Sequence, residues 1–183
     1  NAKNPSYHAL IDTGALITGM TNAEVARYLL SSGLQDKDGV VFLDEHDRKM
    51  IMLRRGMRIV PLSQSGLSKD RQFAFYDQIH TTGMDIKHCI DGKAALTLGK
   101  DMTFRDFAQA AWRMRSIGAG QTIELILVPE VLNLVRDDAK TTGLDVGKDF
   151  LEAVCSWLLV NSMRSESMQF RLMCEQSMKN VFR

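Results

Sequence analysis

Short apolar runs alternate with longer amphipathic segments along the first two thirds of the chain. The apolar run at residues 8–12 leads into a glycine turn and predicts a buried strand. Residues 21–33 combine a capping box of Thr21 and Glu24, one apolar face and a terminal glycine. They predict a helix of about three turns.

Further apolar runs, several of them rich in β-branched residues, predict more short strands. These runs are residues 40–43, 49–53, 58–62, 73–77, 94–98 and 123–128. Buried runs of this kind that do not alternate with polar residues, and that are separated by helices, are typical of a parallel sheet covered on both faces. The predicted fold class is therefore α/β, with a mainly parallel sheet and helices on both faces.

The last part of the chain has a helical pattern. Thr103 is a suitable N-cap for a predicted helix over residues 104–116, which carries an apolar stripe with a period of 3.6. From about residue 145 onward only helical patterns remain. We predict an α/β domain at residues 1–135 and a helical extension at residues 136–183.

Composition narrows the classes of function. The 183 residues contain 23 Lys and Arg against 22 Asp and Glu, a net charge of +1 that argues against a strongly basic nucleic-acid module or a polybasic membrane binder. Three cysteines without C-x-x-C spacing predict a reducing, intracellular location, either cytoplasmic or nuclear. The longest apolar run is far shorter than the ~20 residues of a membrane helix, so no membrane partner is expected. A first residue other than methionine suggests a processed or partial protein.

Isolated motifs allow two readings each. Asp12-Thr13-Gly14 has the form of an aspartic protease motif, which would need a homodimer, or it is an Asx turn at a strand end. The strand before Asp44-Glu45 looks like a Walker B strand, but the sequence contains no G-x-x-x-x-G-K-[ST] loop, and a solvated acidic strand end is the alternative. The four histidines show no metal-ligand spacing, so we expect no metal site, and His80 is expected to order its loop.

One ordered set of motifs is more specific. A loop containing Thr81, Thr82, Gly83 and Asp85 follows the strand at 73–76, and a predicted helix with Gln109, Arg113 and Arg115 precedes a glycine-rich turn. The order resembles motifs V and VI in the second RecA-like domain of superfamily 2 helicases and translocases. Here Ser116 stands where the usual second arginine falls, and Arg115 lies one place earlier.

This resemblance implies that the chain supplies half of a nucleotide site. The loop at 81–85 would contact nucleotide or nucleic acid, and Gln109, Arg113 and Arg115 would act on the γ-phosphate of ATP. ATP with Mg²⁺ would bind only together with the upstream RecA-like domain of the same parent protein, and the chain alone would bind no cofactor and be inactive.

A second resemblance covers nearly all of residues 9–131. The blocks at 8–19, 39–50, 73–88 and 98–106 look like the carboxyl-terminal domain-of-unknown-function blocks of very large eukaryotic proteins. Their customary automated label is ubiquitinyl hydrolase, a thiol peptidase class, which implies a cysteine nucleophile, a histidine and ubiquitin as partner. The candidate pair is Cys89 and His88, which are neighbours in sequence.

Three hypotheses therefore stand. The first is the second RecA-like domain of a helicase-like ATPase, the second a peptidase module of the ubiquitin system, and the third an interaction scaffold with degenerate helicase motifs. The sequence leaves RNA, DNA and polypeptide open as the polymer that an ATPase of this kind would act on.

Overall fold

A computed structural model describes residues 7–81 and 84–181 of the chain. The strands are β1 (Ala9–Ile11), β2 (Gly39–Leu43), β3 (Lys49–Leu53), β4 (Ile59–Pro61), β5 (Gln72–Tyr76), β6 (Lys93–Leu98) and β7 (Thr122–Leu127). The α-helices are α1 (Asn22–Ser32), α2 (Phe104–Ala111), α3 (Pro129–Thr142) and α4 (Phe150–Val181). Short 3₁₀ turns lie at Arg55–Met57, Leu62–Gln64, Lys69–Arg71 and Ile79–Thr81.

The strands form one sheet with the order β4-β3-β2-β5-β1-β6-β7. Strand β1 pairs in parallel with β5 and β6, and β2 pairs in parallel with β5. Strand β3 is antiparallel to both β2 and β4, because tight turns join these three strands in succession. The α/β prediction is confirmed, and the architecture is consistent with a RecA-like fold followed by a carboxyl-terminal helix.

Helix α1 covers one face of this sheet. Its capping box forms as predicted, with the Glu24 amide donating to Thr21 Oγ1 at 3.3 Å and the Thr21 amide donating to Glu24 Oε2 at 2.7 Å. The apolar side of α1 contacts alternate residues of the sheet, and the buried members of this cluster are Val25, Ala26, Leu30, Val40, Phe42, Met52, Phe73 and Phe75. Burial of each large side chain contributes about 1.5–3 kcal/mol.

Strand β2 is buried along its whole length, which explains its unbroken apolar run. The opposite face of β5 is covered in part by the segment after it. There, the Tyr76 hydroxyl contacts both the amide and the carbonyl of Ile86. This segment places the loop residues at 84–89 beside the sheet.

The predicted helix at 104–116 is wrong in its length. Helix α2 ends at Ala111, and the Arg113 and Met114 amides donate to carbonyls only three residues back. Two glycines with positive φ follow, and at Gly120 (φ 122°) a Cβ would lie 2.6 Å from the Ile90 carbonyl oxygen. Arg113 and Arg115 therefore lie in a turn rather than on a helix.

The chain divides into two compact units. The first comprises Asn1–Gly99 and Gln109–Ile126, and the second comprises Lys100–Ala108 and Leu127–Arg183. In the second unit α3 packs on the first turns of α4, where Trp157 is the largest buried side chain. The domains predicted at 1–135 and 136–183 stay a prediction, and their boundary falls inside α3. None of the described helices is both long and apolar enough to cross a membrane.

Candidate functional site

Both oxygens of the Asp12 carboxylate accept hydrogen bonds at the turn after β1. It is buried, its Oδ1 accepts from the Leu16 amide at 3.0 Å and from Thr97 Oγ1 at 2.7 Å, and its Oδ2 accepts from the Ile17 amide at 2.9 Å. A protease carboxylate must instead face its partner carboxylate and a water molecule. The geometry supports the turn reading of this motif.

Asp44 stands at the tip of the β2–β3 hairpin. Its carboxylate accepts from the His46 and Arg48 amides and from the Arg48 guanidinium at 2.8 Å. The hydrogen bond from Arg48 is the largest cause that lowers the pKa of Asp44 to about 2. An acid held in this way closes a hairpin turn, which fits the acidic strand end rather than a Walker B strand.

His80 is held between two carboxylates. Its Nδ1 contacts Asp77 Oδ1, and its Nε2 lies 2.8 Å from Asp47 Oδ1. Partial burial acts to lower the pKa of His80, but the hydrogen bonds to Asp77 and Asp47 outweigh it and raise the pKa above its ordinary value. These contacts agree with the expectation that His80 orders its loop.

His80 also borders a cavity of about 520 Å³ at the carboxyl ends of β2 and β5. The cavity is lined by Met20, Thr21, Asn22, Ala23, Phe42, Leu43, Asp44, Glu45, His46, Arg48, Asp77, Ile79 and His80. Both ring nitrogens of His80 are engaged, so the ring offers no free nitrogen to a ligand in this cavity.

The predicted loop residues differ in their surroundings. The Thr81 side chain is buried, and its hydroxyl donates to the Gln78 carbonyl at 2.8 Å. Thr82 and Gly83 lie outside the described residues. Asp85 is about half exposed, so of the described residues predicted in this loop it is the one that can meet a ligand.

Arg113 joins this loop to the end of α2. The residue is only 7% exposed, its Nε donates to the Gln109 carbonyl at 3.3 Å, and its Nη1 donates to the Met84 carbonyl. Gln109 takes part through its backbone, and its side chain is exposed. Arg113 therefore has its guanidinium committed to backbone oxygens and positions the loop.

Arg115 is the accessible arginine of the pair. Its Nε lies 3.3 Å from Asp85 Oδ1, and the two side chains are 46% and 48% exposed. The guanidinium also lies 5.9 Å from the centre of the exposed Trp112 ring. Residues of both sequence motifs line one cavity of about 190 Å³. Its lining residues are Lys69, Asp85, Ile86, Lys87, His88, Arg113, Arg115, Ser116 and Gln121.

The predicted thiol pair has a different environment from that of a cysteine peptidase. His88 Nε2 lies 3.0 Å from the Tyr76 hydroxyl, and burial lowers the pKa of His88 to about 4. Burial is also the main cause that raises the pKa of the Cys89 thiol. Among the described residues no hydrogen bond joins these two side chains. At neutral pH the His88 imidazole is neutral and the Cys89 thiol is protonated, whereas a catalytic cysteine needs a thiolate.

Sequence reasoning did not find the lysines at this site. Lys69 and Lys87 line the same cavity as Arg115, and Lys69 is close enough to His88 for its charge to help lower the pKa of that ring. Neither lysine belongs to a recognisable motif, so no local pattern pointed to them. Within residues 7–81 and 84–181, no group of three or more His, Cys, Asp or Glu side chains is placed to hold a metal ion.

Comparison with known proteins returned no matching family model, no matching curated protein and no matching solved structure.

Proposed function

We propose that this chain is the second RecA-like domain of a helicase- or translocase-like ATPase, and that it supplies one wall of a nucleotide site shared with an upstream domain. The observation that carries the proposal is the contact between Asp85 and Arg115 across a cavity that Arg113 also lines. The two residues are 30 positions apart in sequence and come from the two segments that resemble motifs V and VI.

The two arginines take different roles in this proposal. Arg113 is a positioning residue, because its buried guanidinium holds the Met84 carbonyl and so fixes the loop that carries Asp85. Arg115 is the catalytic residue, because it is exposed enough to reach a phosphate and to neutralise charge that develops on transfer. Arg115 can leave Asp85 for a phosphate at little cost in free energy, because a half-exposed ion pair contributes only about 0–1 kcal/mol.

ATP and Mg²⁺ are assigned to the upstream RecA-like domain of the parent protein. On this proposal Arg115 of this chain faces the phosphates, and the metal ligands come from the other domain. On this proposal the chain alone neither binds ATP tightly nor hydrolyses it.

The experiment compares ATP hydrolysis by this chain alone and by a longer parent protein that includes the upstream domain. In the longer protein, Arg115→Gln should lower kcat by about 10³-fold, the scale of an arginine that stabilises phosphoryl transfer, with no change in melting temperature. Arg113→Gln should lower the melting temperature, because it leaves the Met84 and Gln109 carbonyls without their donor. Arg27→Gln, an exposed position on α1, is the matched control and should change neither quantity.

Two results would contradict the proposal. One is ATP hydrolysis by the isolated chain that Arg115→Gln abolishes, because the site would then be complete without a partner. The other is full kcat for Arg115→Gln in the longer protein. Labelling of Cys89 by a ubiquitin-based covalent probe would instead favour the peptidase hypothesis. We do not expect this labelling, because burial raises the pKa of the Cys89 thiol and keeps it protonated at neutral pH.

A further inference from the structure

Helix α4 has two halves with different surroundings. Its first half is held in the second unit, where Trp157 and Leu158 are buried and Asn161 Nδ2 donates to the Met102 carbonyl at 3.1 Å. At residues 163–181 every side chain except one half-buried serine is exposed. We call residues 163–181 the exposed half of α4, which is about 27 Å long at 1.5 Å per residue.

The exposed half of α4 carries many apolar side chains. Seven large ones are between 56% and 77% exposed, namely Met163, Met168, Phe170, Leu172, Met173, Met178 and Val181. Most of the stability of a helix in a protein comes from packing of an apolar face, and exposed apolar side chains grouped on one element are typical of an interaction site. The exposed half of α4 is therefore a candidate docking surface.

One side of this surface follows a heptad repeat. The spacing alternates between four and three residues through six positions, as in a coiled coil. The a positions are Ser167, Cys174 and Val181, and the d positions are Met163, Phe170 and Ser177. All six side chains are exposed, and all are apolar or small. We call these six residues the α4 seam.

The side chains beside the α4 seam indicate what covers it. Glu166 is at a g position, and Arg171, five residues later, is at an e position. In a parallel pair of helices, a g residue lies beside the e residue five positions later on the other helix, and such charge pairs set partner and orientation. Two copies of this chain would thus form two Glu166–Arg171 ion pairs. Met173 and Met178 form the next pair of this kind, which is apolar.

The same charges disfavour an antiparallel pair. In that arrangement e residues lie beside e residues, and the register that aligns the six seam positions places two copies of Arg171 side by side. Within one chain Arg171 Nε lies 3.3 Å from Glu175 Oε1, and the two side chains are 82% and 48% exposed. An ion pair so exposed is weak, so Arg171 can turn toward Glu166 of a second copy.

We infer that the exposed half of α4 is a self-association surface, on which two copies of this chain pair in parallel along the α4 seam. In this pair Phe170 packs on Phe170 of the other copy, and Cys174 faces Cys174. The inference does not rest on the proposed ATPase function, because the residues that line the cavity of Arg115 lie outside α4.

The first test is sedimentation equilibrium of the 183-residue chain under reducing conditions. The mass should rise with concentration toward twice the 20.6 kDa of one chain. Phe170→Lys should raise the dissociation constant of the dimer at least about tenfold, because it places two like charges in one layer of the seam. Leu172→Lys is the matched control on the opposite side of α4, and it should change the constant less than about twofold. Both side chains are exposed in one chain, so both variants should fold, which circular dichroism checks.

A charge exchange tests the partner and the orientation. Glu166→Lys and Arg171→Glu should each weaken the dimer, because each places like charges beside the seam. The double variant E166K/R171E restores opposite charges between two identical copies, and it should recover most of the lost affinity.

A disulfide test reads the position of Cys174. In C89S/C155S, where Cys174 is the one remaining cysteine, diamide should link two chains by oxidising two thiols to one disulfide while it takes up the two hydrogens. A disulfide needs Cα atoms within ~7 Å of each other, which the parallel seam provides. The control C89S/C155S/C174S/L172C carries its cysteine on the opposite side of α4 and should not form the link.

Several outcomes would overturn the inference. A chain that stays monomeric at every concentration would exclude self-association, and equal effects of Phe170→Lys and Leu172→Lys would exclude the α4 seam. Failure of E166K/R171E to recover affinity, or equal disulfide formation at positions 172 and 174, would exclude the parallel arrangement. None of these results bears on the effect of Arg115→Gln on ATP hydrolysis, so the inference and the proposed function fail separately.

Discussion

Acidification should weaken the fold through His88. In the folded chain its ring lies against the Tyr76 hydroxyl, and burial lowers its pKa to about 4, whereas an unfolded histidine titrates near 6.5. The unfolded chain therefore binds the proton more readily than the folded chain at pH values between 4 and 6.5. The stabilising contribution of the neutral ring is fully present above pH 6.5 and is lost as the pH falls from 6.5 toward 4.

The size of the effect follows from the two pKa values. The difference between a pKa of about 4 in the folded chain and 6.5 in the unfolded chain corresponds to about 3 kcal/mol of unfolding free energy, at roughly 1.4 kcal/mol for each pKa unit. This whole amount is lost only below pH 4, where the ring is protonated in both states. Between pH 7.5 and pH 5 the linkage relation gives a loss of about 2 kcal/mol, because the folded ring stays neutral at pH 5 while the unfolded one is protonated.

The assay is urea denaturation of the wild type and of His88→Gln at pH 7.5 and pH 5. Glutamine does not titrate and can still accept a hydrogen bond from Tyr76, so the variant should fold. The wild type should lose about 2 kcal/mol more than His88→Gln on acidification. His8, whose pKa burial also lowers, is present in both proteins, and its charge is one of the causes that lower the pKa of His88. His46→Gln, at an exposed position in the β2–β3 hairpin, is the control and should behave as the wild type.

An equal loss of stability in the wild type and in His88→Gln would refute the reasoning. It would mean that His88 takes up a proton in the folded state as easily as in the unfolded one.

Three further predictions use the same denaturation assay. His80→Gln should be most destabilising below pH 6.5 and less so as the pH rises through the raised pKa of His80, and a penalty that grows with pH would contradict its pairing with Asp77 and Asp47. Gly120→Ala should cost roughly 1–3 kcal/mol, because its φ is positive and its Cβ would clash with the Ile90 carbonyl. Gly118→Ala, with open space around it, should cost less, and equal losses would exclude the clash. Thr21→Ala should cost about 1 kcal/mol through loss of the α1 cap, and no loss would show that the capping box contributes nothing.

Much of the secondary structure could be predicted because its causes are local. The apolar runs at 40–43, 73–77 and 94–98 correspond within one residue at either end to β2, β5 and β6. Such runs are stable only when both faces are buried, which a parallel sheet provides. Helix α1 could be predicted for the same reason, since its cap and its apolar face lie within 13 residues of sequence.

Elements that depend on distant contacts were predicted less well. The apolar stripe beyond Ala111 suggested a longer helix, but the chain turns there, and Arg113 donates to a carbonyl 29 residues away. The start of helix α3 was not predicted, because the predicted helical extension begins only at residue 136. In the structure Pro129 is the first residue of α3, a position where its missing amide hydrogen costs nothing.

The α/β class, most strands and helix α1 follow from local patterns, because burial and capping act between near neighbours along the chain. Local patterns also indicate the two segments that carry Asp85 and Arg115. That these two side chains meet, that Arg113 is buried against backbone oxygens, and that Lys69 and Lys87 line the same cavity as Arg115 depend on the tertiary fold. The reason is that charge density and burial depend on which strands pair and on where the loops between them fold back. Local sequence patterns do not predict either of these.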